Sequence, residues 1–136
     1  VTNGIVIAKK NKIPERIIDF IRTHHGTSKV YYFYKKAEEI SGETPDNKLY
    51  CYPGPRPFSK ETAILMMSDA VEAASKSLKE PTIDKIQNFV ESIVDKQVEE
   101  KQFNDCNITL AEIETVKKVL SKKLINIYHL RVTYPE

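Results

Sequence analysis

The chain has 136 residues and a mass of 15.6 kDa, room for one domain with a modest core. Hydrophobic residues make up 40% and charged residues 29%, which excludes a disordered or fibrous chain. The 21 basic against 19 acidic residues leave +2, too little excess to draw a nucleic-acid polymer or anionic lipid.

Helical periodicity dominates the chain. Gly4 to Lys10 places Ile5, Ala8 and Val6 on one side and reads as the tail of a helix whose beginning is missing, because the chain starts at Val1 within the pattern. The second helix is predicted to start at Pro14, where the absent N–H would have no partner anyway, and to stop at Gly26. Its apolar face is Ile17, Ile18, Phe20 and Ile21. A third helix is predicted from about Ser28 to Ile40, carrying the aromatic cluster Tyr31 to Tyr34, which reads as core and rim.

The stretch 41–58 contains Pro45, Pro53, Gly54, Pro55 and Pro57 and is expected to be an irregular, stiff and ordered loop. Long loops of this kind tend to be functional. Ser59 caps a fourth helix expected to reach Lys79, apolar almost all round at its centre and therefore the most buried element. Thr82 opens the fifth, with the stripe Ile83, Ile86, Phe89, Val90, Ile93 and Val94. Thr109 and Glu112 form a capping box opening the sixth, which should bury Ile113, Val116, Leu120, Leu124 and Ile127. Helices five and six are expected to form an antiparallel hairpin, and an extended tail is expected over 130–134. The fold class is all-α.

The apolar runs Ala63–Met67 and Val30–Tyr34 are far shorter than the ~20 residues a bilayer requires, and no signal-peptide pattern is present. Cys51 and Cys106 match no metal spacing and read as free thiols in a reducing cytoplasm.

His24 and His25 lie in line with Ile17, Phe20, Ile18 and Ile21, so both rings point toward the apolar side of the second helix. Four ring nitrogens there need partners. A metal is one solution and a structural role in core or surface is the other. Adjacent residues diverge by about 100° on a regular helix, but a last turn unwinding before Gly26 can bring both rings together. Asp69, in line with Leu65, Met66 and Ala73, would bear a large desolvation cost unless paired or ligating a metal. Glu72 lies one turn on, and a plain wet stripe of Ser68, Asp69 and Glu72 is the alternative. Arg56 and Lys60 flank the proline loop as candidate phosphate contacts or solvated charges, and His129 reads as a structural cation at a helix C-terminus.

The ordered runs Ile17–Thr27, Tyr52–Glu61, Met67–Ala74 and Tyr128–Pro135 together resemble one family over nearly the whole chain. It is the C-terminal part of the HD-domain hydrolases attached to seven-transmembrane receptor proteins, the PgpH type. The resemblance implies an HD-like helical bundle in a cytoplasmic domain of a bacterial inner-membrane protein. It implies a phosphodiesterase that hydrolyses cyclic di-AMP to pApA with two transition-metal ions, iron or manganese. His24 and His25 then match ligands of one metal and Asp69 a ligand of the other, with Thr27, Arg56 and Lys60 as candidate substrate contacts. The family also uses an adjacent His-Asp pair and further histidines that this sequence lacks, so catalytic residues are expected upstream of Val1 and residues 1–136 are expected to be an incomplete domain, inactive by itself. The rival class is a non-catalytic helical sensor or interaction module in which the histidines are structural.

Overall fold

Met66, Met67, Val71, Ile86, Val90 and Val94 are almost completely removed from solvent, and the chain is organised around the layer they form. Each such side chain contributes about 1.5–3 kcal/mol on burial. The computed structural model describes residues 1–129. The helices are α1 (Thr2–Lys10), α2 (Glu15–Thr23), α3 (Tyr31–Ser41), α4 (Lys60–Ser75), α5 (Ile83–Glu99) and α6 (Leu110–Ile127), with a 3-10 turn at Asn47–Tyr50. No described helix is long and apolar enough to cross a membrane.

The central element is α4, which packs on α2, α5 and α6. Its entrance is fixed by Ser59, whose hydroxyl accepts from the Thr62 N–H while the Thr62 hydroxyl accepts from the Ser59 N–H. The same reciprocal cap joins Thr109 and Glu112 at the start of α6, and the Thr82 hydroxyl caps α5. Asp95 near the end of α5 pairs with Lys117 in α6, and the earlier α5 residues Gln87, Asn88 and Glu91 share a groove with the later α6 residues Ser121, Ile125 and Asn126, so the two helices run antiparallel. At the far end the Tyr128 hydroxyl donates to the Ser75 carbonyl at 2.9 Å, tying the end of α6 to that of α4.

Several expectations are corrected. Pro14 precedes α2 as its cap residue, with ψ at 142° outside the helical range. The third helix starts at Tyr31 because residues 28–30 pair in antiparallel fashion with 50–52 instead: Val30 N–H donates to Tyr50 at 2.7 Å and Tyr52 N–H to Ser28 at 3.0 Å. That helix buries none of its residues, so its aromatic cluster is not core. The proline loop contains the 3-10 turn and docks Pro57 in the interior. In α4 the outer residues Ile64 and Leu65 stay exposed, and the helix ends at Ser75. Ile127 is exposed at the last turn of α6. The cysteines are free, as expected. The tail predicted over 130–134 lies outside the described residues.

Candidate functional site

The end of α2 sets the histidines. Its last residue, Thr23, is buried and returns its hydroxyl to the Asp19 carbonyl at 2.7 Å. Beyond it the chain tightens into the turn His24-His25-Gly26-Thr27, closed by Gly26 N–H to the Thr23 carbonyl and Ser28 N–H to the His25 carbonyl. Leaving the regular helix brings the two imidazoles together, with ring centroids 3.9 Å apart. The Nδ1 of His24 lies 2.8 Å from the Ile21 carbonyl. A carbonyl only accepts, so Nδ1 carries a proton, and in the neutral tautomer this contact selects the lone pair is on Nε2.

His25 lies against Tyr52 of the proline loop, with centroids 4.2 Å apart and planes 24° from parallel. Across from it, Asp69 on α4 places Oδ2 3.9 Å from His25 Nδ1. Desolvation pushes the His25 pKa below its usual 6.5, and the neighbouring His24 pushes the same way, while Asp69 raises it in part. The net effect favours the neutral ring, the form that can donate a lone pair to a metal.

Helical spacing places Asp69 in the most apolar helix, yet its side chain is 43% exposed. The neighbours of α4 on this side, α2 and the histidine turn, leave Asp69 partly open to water. Glu72 does not join it and pairs with Lys76 at 3.2 Å. Among the described residues no three His, Cys, Asp or Glu side chains converge as a metal-holding group. The donor chemistry still fits borderline metal ions: one histidine tied to a backbone carbonyl, one held neutral, and a carboxylate beside them.

The candidate substrate contacts are all engaged within the chain. Arg56 donates from Nε and a terminal nitrogen to Asp105 at 2.9 and 3.2 Å, and to the Lys101 carbonyl at 3.1 Å. Lys60 donates to Glu112 at 2.6 Å. Both cations brace the fold, because each lies opposite a carboxylate of a later segment: Asp105 in the α5–α6 connection for Arg56 and Glu112 on α6 for Lys60. Thr27 is fastened to Gln102, as described below. His129 is exposed past the end of α6.

Sequence reasoning missed Tyr52 and Gln102. Tyr52 had a signal, since it opens the proline-rich run already marked as functional; Gln102 had none, being one polar residue in a connection between helices.

No family model matches the chain. It is 38% identical over 135 residues to the cyclic-di-AMP phosphodiesterase PgpH of Bacillus subtilis and 41% identical over 134 residues to that of Listeria monocytogenes. These matches cover 99% and 98% of this chain but only 19% and 18% of the relatives. The crystal structure of the HD domain of the Listeria protein in complex with cyclic di-AMP superposes with a TM-score of 0.90 at 41% identity, covering 98% of this chain and 62% of that one. A structure of the same domain described without that ligand gives 0.87 at 40% identity, covering 94% and 59%. The chain is homologous to the HD domain of PgpH and shares its all-helical fold.

Proposed function

From this homology we propose that residues 1–136 form the C-terminal portion of a single HD-type domain in a longer polypeptide, and that the complete domain hydrolyses cyclic di-AMP to pApA. The observation that carries the reading is the meeting of His24, His25 and Asp69. Residues from two separate elements, each matched to the family on its own motif, come together: His25 Nδ1 lies 3.9 Å from Asp69 Oδ2, and the His24 ring centroid lies 3.9 Å from that of His25.

His24 and His25 are read as ligands of one metal ion and Asp69 as a ligand of a second, iron or manganese, with the remaining ligands supplied by residues upstream. Such ions, when bound, acidify water and offset charge on the phosphodiester. The chain's own part is positional. The Ile21 carbonyl holds the His24 proton on Nδ1. The stack on Tyr52 fixes the His25 ring plane. The open side of Asp69 gives a substrate access from solvent. The longer polypeptide is read as anchored in the bacterial inner membrane with this domain on its cytoplasmic side.

The test is metal analysis and turnover by the longer polypeptide. About two metal ions per domain and conversion of cyclic di-AMP to pApA are expected. Substituting His24 or Asp69 by Ala should abolish turnover without loss of folding. No bound metal together with no turnover would overturn the reading. Residues 1–136 alone should retain metal weakly and turn over little, since three ligands divided between two ions cannot hold both.

A further inference from the structure

Gln102 is 2% exposed, yet it is fully polar and lies in the connection between α5 and α6. Burying an amide costs free energy unless its donors and acceptor are matched. Here they are matched almost wholly by one residue of the histidine turn. The amide oxygen accepts from the Thr27 N–H at 3.0 Å and from its hydroxyl at 3.3 Å. The amide nitrogen donates back to the Thr27 hydroxyl at 3.0 Å and to the Glu100 carbonyl at 3.3 Å. The same oxygen fills the space beside Gly26, where any Cβ would overlap it, and Gly26 has φ of +51°.

The connection that carries Gln102 is itself fastened. Gln102 N–H donates to the Gln97 carbonyl at 3.0 Å, and the Gln97 side chain donates to the Met66 carbonyl at 3.4 Å, one turn before Asp69 on α4. Asp105 and the Lys101 carbonyl of the same connection hold Arg56, four residues after Tyr52. One segment therefore grips the histidine turn, the loop that stacks on His25 and the helix that bears Asp69.

We infer that Gln102 is a positioning residue for the paired histidines: by clamping Thr27 from the α5–α6 connection it sets the placement of both imidazoles against Asp69. Its consequence for metal binding rests on the proposed reading of His24 and His25 as ligands. The placement of the rings does not.

The test uses the 136-residue chain labelled with nitrogen-15, in which the imidazole resonances of His24 and His25 report ring placement directly. Gln102→Leu removes the clamp, and Thr27→Val removes the hydroxyl half of it at an exposed position that leaves the core untouched. Thr27→Ser keeps the hydroxyl. Both clamp-breaking variants should move the resonances of both rings and weaken the ring contacts between His25 and Tyr52, and Thr27→Ser should restore them. Cobalt(II) titration of the longer polypeptide should show affinity lowered about tenfold or more in the clamp-breaking variants. Unmoved histidine resonances in a folded Gln102→Leu chain would overturn the inference, even if its melting temperature fell. Where Gln102→Leu does not fold, unmoved resonances in Thr27→Val would overturn it equally. Absence of any cobalt effect on the histidines of the unaltered longer polypeptide would strike the ligand reading instead, and the ring comparison would still decide the positioning.

Discussion

The helices α4, α5 and α6 share a layer of buried Met, Val and Ile side chains, whereas α3 buries none of its residues and the histidine turn beside it is held by hydrogen bonds. The first region is stabilised by area removed from water, which is non-directional and tolerates small shifts. The second is stabilised by donor and acceptor pairs that act only within narrow distances and angles. A site whose imidazoles must keep a fixed distance to a carboxylate is therefore built on the second kind of contact and merely anchored by the first.

The sharpest way to break this contrast is to truncate side chains on each side. Ile86→Ala, at a position with no exposure, should cost about 2–5 kcal/mol in denaturant unfolding. Phe33→Ala on α3, where the ring is mostly exposed, should stay within about 0.5 kcal/mol. Similar losses at both positions would end the distinction. A smaller but more local effect is expected at Gly26. A methyl there overlaps the Gln102 amide oxygen and sits at positive φ, so Gly26→Ala should cost about 1–3 kcal/mol in thermal unfolding.

Arg56→Ala should cost less than about 1 kcal/mol, because its pair with Asp105 is solvent-accessible and screened. Its effect should show instead as faster amide exchange at Tyr52, and equal exchange in both proteins would argue against the brace. The smallest expected effect is with pH. The folded chain holds the His25 pKa below 6.5, so above that value the residue adds no pH dependence. As pH falls below 6.5 toward the lowered folded value, the unfolded chain takes up the proton more readily and stability of the metal-free chain declines. His25→Gln should flatten that limb of the pH profile, and an unchanged limb would assign it to other groups.

Much of the dry region was legible in the sequence. The stripe of α5 from Ile86 to Val94 and the caps at Ser59, Thr82 and Thr109 stand where periodicity and capping chemistry put them, because both depend on residues within one or two turns. The site was legible in its parts. His24, His25 and Asp69 were singled out, and the turn before Gly26 does bring the rings together. The environment of Asp69 was not legible, since helical spacing tells which side a residue faces but not whether a neighbour covers that side. The ion pairs of Arg56 and Lys60 were not legible for the same reason: their partners, Asp105 and Glu112, lie far along the chain.

The sequence by itself determined the all-α class, the order of the helices and the residues with ligand chemistry, because periodicity, caps and side-chain type are local. Only the tertiary structure decided which of these meet. The stack of Tyr52 on His25, the clamp of Gln102 on Thr27 and the approach of Asp69 each join segments far apart in the chain. Such contacts form only after burial of the α4–α5–α6 layer has fixed the distances between elements, and no local pattern encodes a distance of that kind.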